Sequence, residues 1–204
     1  MGIHPPDEGD GEKVNALLFA SALPEKDISC KINAVRRAEM ILQGKVHKFG
    51  DDINTDYIIS GKYKFKTLDM NELVSHLMED IEPDFSRKVK AGDILVAGRN
   101  FGCGSSREQA PLVIKHAGIP LVIAKSFARI FFRNALNIGL FLLEADTDAI
   151  SGGDILEADI ARGIIKNITT GVEISASSLP EFLVDIAQAG GVVAYLRKHG
   201  KFNI

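Results

Sequence analysis

The chain has 204 residues, 46% hydrophobic and 25% charged, with a formal net charge of -3. It carries enough apolar surface for one main domain with a sizeable core, and its mild acidity gives no reason to expect nucleic acid or a membrane surface as partner. Its two cysteines, Cys30 and Cys103, are too few for a disulfide framework. No apolar run reaches the roughly 18 residues of a membrane span, and the N-terminus lacks the charged-then-apolar order of a signal peptide, so a cytoplasmic location is expected.

Residues 1–39 stand apart in composition. Gly2 to Gly11 is rich in Pro, Gly and acidic residues, as disordered segments are, and Val14 to Leu23 is an apolar stretch with no partner in view. This segment is either a mobile arm or no part of the natural protein: Arg36-Arg37 precedes Ala38-Glu39-Met40, and AGG-AGG codons there would be a bacterial ribosome-binding sequence placed for a start at Met40. The domain expected to fold is therefore 40–204.

Ile41 to Phe49 reads as a strand, ended by Gly50 and the acidic Asp51-Asp52. Ile53-Asn54-Thr55-Asp56-Tyr57-Ile58-Ile59 then sets a polar triplet between apolar residues, which alone reads as a turn or a cap. Lys62-Tyr63-Lys64-Phe65-Lys66 alternates basic and aromatic residues. As a strand it would put its lysines on one solvated edge; as a loop it would reach over a site and read an anionic substrate. Asp69 with Glu72 forms a capping box before a helix through Leu73, Val74 and Leu77.

Asp93 to Gly98 is apolar and strand-like. The stretch Asn100-Phe101-Gly102-Cys103-Gly104-Ser105-Ser106-Arg107-Glu108-Gln109-Ala110-Pro111 joins it to helical spacing at Ala110, Val113, Ile114 and Ala117. Glycines at 102 and 104 permit a tight turn and close backbone approach. Loop amides, the Ser105 and Ser106 hydroxyls and the Arg107 fork would converge on an anion at the helix start. Ser105 with Glu108 also fits a capping box, but a helix begun at Ser105 would meet Pro111 after its first turn, which predicts a break before Ala110. Cys103 has no neighbouring His in sequence to activate it as a nucleophile.

Ile119 to Ala124 and Leu140 to Leu143 read as buried strands, separated by a helix carrying Phe127, Ile130 and Phe131 that Ser126 caps and Gly139 stops. The alternation over 93–144 indicates α/β architecture. Gly163 to Ile168 and Val172 to Ile174 flank Thr169-Thr170-Gly171 as a hairpin. Ser178 with Glu181 opens a helix through Phe182, Leu183 and Ile186, and Gly190-Gly191 separates it from a last helix ending near His199. The histidines are scattered without metal-ligand spacing, so no metal site is assigned to this chain. Gly102-Cys103-Gly104 matches neither the dinucleotide fingerprint nor a P-loop.

Asp52-Ile53-Asn54-Thr55-Asp56, the Gly102-to-Pro111 stretch centred on Gly104-Ser105-Ser106-Arg107-Glu108, and Ala124-Lys125-Ser126-Phe127-Ala128-Arg129-Ile130 stand in the order found in the aconitase superfamily. From about Met40 to its C-terminus the chain resembles the small subunits of 3-isopropylmalate dehydratase. The resemblance implies a swivelling β/β/α three-layer domain, a large partner subunit holding a [4Fe-4S] cluster, and catalysis at the interface between them. Two distant cysteines cannot supply a cluster's ligands, which agrees with iron held elsewhere as a Lewis acid on a hydroxy di- or tricarboxylate substrate. By the same resemblance Ser105 is the base, working as an alkoxide; Ser106 and Arg107 hold substrate carboxylate; Thr55 and Asp56 complete the active site, with Asp56 ordering its hydrogen bonds. Cys103 is then expected to serve packing or loop geometry, and Arg129 and Arg133 serve either the interface or the structure.

The run Gly61-Lys62-Tyr63-Lys64-Phe65-Lys66-Thr67 departs from the family's usual specificity loop, Gly-Arg-Tyr-Leu-Arg-Thr, by one residue more. Phe65 would line an apolar pocket for an isopropyl group, whereas Lys64 or Lys66 would pair with a third carboxylate. Isomerisation between 2-isopropylmalate and 3-isopropylmalate, as in leucine biosynthesis, is the leading expectation. Related dehydration of homocitrate and homoaconitate, 2,3-dimethylmalate or citrate is the alternative, and a non-catalytic binding or assembly module is a lesser one.

Overall fold

The computed structural model describes residues 40–64, 67 and 69–202. The N-terminal segment with Cys30, the Lys64 side chain, Phe65 and Lys66 lie outside the described residues, together with the expectations attached to them.

Short runs of Val, Ile, Leu and Ala form the central strands Ile94–Ala97 and Leu121–Ala124, and mixed apolar and polar segments form the other strands. In chain order the strands are β1 Ile41–Lys48, β2 Ile94–Ala97, β3 Leu121–Ala124, β4 Phe141–Glu144, β5 Ile155–Asp159, β6 Ile164–Asn167 and β7 Glu173–Ser175. Among the described residues they make one seven-stranded sheet in the order β4-β3-β2-β1-β5-β6-β7. The half from β4 to β1 is parallel, with Ile94 opposite Leu121 and Leu121 opposite Phe141. The half from β1 to β7 is antiparallel, and β6 with β7 is the expected hairpin. The helices are α1 Thr55–Ile58, α2 Gly61–Lys64, α3 Met70–Ser75, α4 Phe85–Lys88, α5 Gln109–His116, α6 Arg129–Asn137, α7 Glu181–Gln188 and α8 Val192–His199.

β2 and β3 are buried at every position, as a parallel sheet covered on both faces requires. On one face Leu95, Ala97, Val122 and Leu142 pack with Val113 and Ile114 of α5 and Phe131 and Ala135 of α6. On the other, Ile94, Val96, Leu121 and Ile123 pack with Leu156, Ala158, Ile165 and Ile174 from β5, β6 and β7. Strands from one half can cover the other only if the sheet curls back on itself. It does: Ala145, just past β4, bridges Ala176, just past β7, and the Ser177 amide donates to the Glu144 carbonyl at 2.8 Å. The layers are therefore helices, parallel strands and the folded-over antiparallel strands, which is the expected β/β/α order.

Three local expectations change. Lys62-Tyr63-Lys64 lies in a single helical turn rather than in the strand or the loop expected. Asp69 does cap α3, its carboxylate accepting from the Asn71 amide at 2.9 Å, but the helix ends at Ser75 and Leu77 is buried in the turn beyond it. The residue before α6 is Ala128, not Ser126, for a reason that belongs to the site.

Gly102 ties the loop to this core. Its φ is +78°, and a Cβ built there would lie 2.2 Å from Cγ of Phe131, itself packed edge-on against Phe101 at 5.2 Å. Gly102→Ala is expected to destabilise the chain by about 3 kcal/mol or more, since both the backbone angle and the space oppose it. Urea denaturation measures this; an unchanged midpoint would contradict the packing described.

Candidate functional site

The three parallel strands β1, β2 and β3 keep pairing irregularly beyond their regular ends. Asn54 bridges Cys103 and Phe101 bridges Phe127, both in parallel. Rungs run from the Gly102 amide to the Ile53 carbonyl at 2.7 Å, from the Thr55 amide to the Cys103 carbonyl at 2.9 Å, and from the Ala128 amide to the Phe101 carbonyl at 2.9 Å. The three extensions thus deliver Thr55-Asp56, Ser105-Ser106-Arg107 and Arg129-Ile130 side by side at the carboxyl end of the parallel strands, where open α/β sheets place ligands.

The loop between β2 and α5 turns because Asn100, Gly102 and Gly104 take positive φ angles of 57°, 78° and 88°. Asn100, which bears a side chain there, is held on both sides: its amide donates to Ser126 Oγ at 2.9 Å and its Nδ2 donates to Asp52 Oδ1 at 2.8 Å. This is where the Ser126 hydroxyl goes. Because residues 126–128 stay extended to pair with Phe101, Ser126 lies too early to cap α6 and serves the loop instead. Neither Asn100 nor Ser126 was legible as a loop support, since their contact spans 26 positions of sequence.

Ser105 is anchored by its backbone and free at its side chain. Its carbonyl accepts the Thr55 hydroxyl at 3.0 Å and the Arg107 amide at 2.8 Å. Both serine hydroxyls are exposed, and among the described residues neither has a hydrogen-bond partner, nor do the amides of Gly104, Ser105 and Ser106 find an acceptor. The capping box with Glu108 is not used: α5 begins at Gln109, after the expected break, and Glu108 makes no side-chain cap. Pro111 then falls in the first turn, where no intrahelical donor is needed.

Thr55 is 1% exposed, so its contribution is to hold the Ser105 carbonyl rather than to face a ligand. Arg107 is mostly buried, with its side chain 13% exposed, and its Nη1 meets Asp56 Oδ1 at 2.5 Å and donates to the Ile59 carbonyl at 3.2 Å. One guanidinium face is thereby fixed by α1 and its following residue. The remaining N–H groups of the fork keep their capacity for an oxyanion. A Cβ on Gly61, at the start of α2, would lie 3.3 Å from Arg107 Nη2, so this glycine lets α2 approach the guanidinium.

Burial pushes the Cys103 thiol above its usual range, and the Asp52 charge adds to the effect. A protonated thiol is a poor nucleophile and a poor metal ligand. What Cys103 contributes is its backbone carbonyl, held by Thr55. Among the described residues no group of three or more His, Cys, Asp or Glu is placed to hold a metal ion, and no helix is long and apolar enough to cross a membrane. Around the serine loop, Tyr57 and Ile130 are large apolar side chains 44% and 52% exposed, and Arg129 and Arg133 are exposed as well.

Residues 51–148 match the family described as the aconitase C-terminal domain, a span that includes all three extensions. Over 165 residues the chain is 53% identical to 3-isopropylmalate dehydratase small subunit 2 of Archaeoglobus fulgidus, covering 81% of this chain and 100% of that protein. It is 50% identical over 163 residues to 3-isopropylmalate dehydratase small subunit 1 of Thermotoga maritima, covering 79% of this chain and 98% of that one. The crystal structure of a 3-isopropylmalate dehydratase from Methanocaldococcus jannaschii superposes with a TM-score of 0.76 at 51% identity, over 79% of this chain and 96% of that one.

Proposed function

This chain belongs to the family of 3-isopropylmalate dehydratase small subunits, and on that premise we propose that it supplies the proton-transfer and carboxylate-binding half of a two-subunit hydro-lyase. The enzyme interconverts 2-isopropylmalate and 3-isopropylmalate by dehydration and rehydration, a step of leucine biosynthesis. The working domain is 40–204, which the whole-length match of 165 residues supports.

The observation that carries this reading is the pair of serine hydroxyls, without a partner among the described residues, beside an anchored guanidinium on a loop whose backbone is fixed from both flanks. Ser105 takes the proton from the carbon adjacent to the one bearing the hydroxyl. The C–H electron pair becomes the second bond of a carbon–carbon double bond as the hydroxyl departs. Return of the proton and of the hydroxyl, each to the carbon the other left, gives the isomer. Arg107 and Ser106 hold a substrate carboxylate, and Asp56 keeps the Arg107 fork in place.

A serine hydroxyl in water has an alcohol's ordinary acidity, and its ionised form needs fixed donors and positive charge, which act most strongly where bulk water is excluded. The open amides of Gly104, Ser105 and Ser106 and the Arg107 guanidinium are such donors, but Ser105 is exposed in this chain alone. Water must be excluded by a second surface. The large subunit is that surface, seated on the exposed Tyr57, Ile130, Arg129 and Arg133 around the loop. The described residues do not fit a [4Fe-4S] cluster, because Cys103 is the one thiol among them and its burial disfavours the thiolate. The cluster is accordingly assigned to the large subunit.

Anaerobic co-purification with the large subunit, followed by a panel of isopropylmalate, homocitrate, 2,3-dimethylmalate and citrate, tests the substrate. The highest kcat/KM is expected with isopropylmalate. A preference for a tricarboxylate would reassign the substrate and point to Lys64 or Lys66 as the added cation.

A further inference from the structure

Away from the serine loop, charged and aromatic side chains gather around Glu79. Its carboxylate lies 3.1 Å from Lys62 Nζ and 2.6 Å from His76 Nδ1. The His76 ring stacks on Tyr63 with centroids 3.6 Å apart and planes 7° from parallel, and Lys62 Nζ sits 4.7 Å from the Tyr63 ring centre. Burial pushes the Glu79 carboxyl upward, but the bonds from Tyr63, His76 and Lys62 outweigh it and hold it down to about 2. Glu79 is therefore ionised at working pH and holds two consecutive residues of α2, Lys62 directly and Tyr63 through the His76 ring stacked on it.

The same piece of chain is tied at two further points, one to the Glu79 turn and one to Arg107. The Met78 amide donates to the Ile58 carbonyl at 3.0 Å, while Arg107 donates to the Ile59 carbonyl at 3.2 Å. Gly61 then approaches so closely that a Cβ would sit 3.3 Å from Arg107 Nη2. Residues 58–63 thus lie between the turn carrying His76 and Glu79 and the guanidinium that binds Asp56.

Resting on the function proposed above, we infer that Glu79 is a positioning residue for Arg107. By holding Lys62 and Tyr63 it seats the Gly61 end of α2 against the guanidinium and fixes the orientation of the fork that takes the substrate carboxylate. It touches no reacting atom, and its effect passes through Arg107.

The test is a double-mutant cycle in the two-subunit enzyme, with Glu79→Gln and, from the other side of the contact, Lys62→Met. Each is expected to raise KM for 2-isopropylmalate by about five- to twentyfold with kcat within about threefold, and in an Arg107→Lys background the same change should move KM by less than about twofold. A KM unmoved in both variants, or raised equally with and without Arg107, overturns the inference. If the wild-type assembly does not turn over isopropylmalate, the functional reading fails, and the positioning claim is then decided on this chain alone. In that case Glu79→Gln should shift or broaden the Arg107 Nε–H signal in the NMR spectrum of arginine-labelled protein, and an unmoved signal overturns the claim.

Discussion

Ser105→Ala is expected to lower kcat of the assembled enzyme by on the order of a thousandfold or more, the range lost when a positioned base is removed, while KM and thermal stability stay close to wild type. The split follows from how Ser105 is held. Its carbonyl accepts Thr55 and Arg107, and both bonds survive the substitution, whereas its hydroxyl has no partner among the described residues to lose. A structural serine at a helix cap would behave the other way, losing stability by about 1 kcal/mol with little effect on turnover. Steady-state kinetics together with a thermal melt separate the two. Turnover within a few-fold of wild type would remove Ser105 from the base role.

Arg107→Lys is expected to lower kcat/KM by about a hundredfold, although the charge is kept. The guanidinium serves Asp56 and the Ile59 carbonyl with one nitrogen and leaves further N–H groups in a fixed plane for a carboxylate. A lysine ammonium is a point charge on a flexible stem and cannot satisfy Asp56, Ile59 and a bidentate ligand together. Because Arg107 is largely buried and Asp56 half exposed, the ion pair itself is a modest contributor to stability. The loss should therefore appear in kinetics more than in unfolding. A kcat/KM within threefold of wild type would show that Arg107 does not hold substrate.

What could be read from the sequence is what local chemistry dictates. The fully apolar runs at β2 and β3 indicate strands covered on both faces, and their alternation with helices over 93–144 points to an α/β sheet. Glycines at 102 and 104 and the proline at 111 fix where the loop must turn and where α5 must start. The curl of the sheet was not legible in this way, because it depends on Ala145 meeting Ala176, a contact no periodicity announces. Nor was the use of the Ser126 hydroxyl, which satisfies Asn100 rather than α6. Thr55 showed the same limit: its place in the site came from resemblance, and its buried bond to the Ser105 carbonyl came from the fold.

Lys62 and Tyr63 are the clearest case of a pattern overruled by a partner. Alternation of basic and aromatic residues would place neighbours on opposite faces of a strand. Glu79 draws both to one side, Lys62 by charge and Tyr63 through its stack on His76, and a helical turn is the backbone that allows this. The partner lies in a turn beyond α3, so the segment's own residues could not reveal it.

The most direct measurement follows conversion of 2-isopropylmalate to 3-isopropylmalate anaerobically with this chain alone, with the large subunit alone and with the two combined. Product is expected from the combination only, and replacing this chain by its Ser105→Ala variant should abolish it. Full turnover by either chain alone, or by the combination containing Ser105→Ala, would contradict the division of the active site between two subunits with its base on this one.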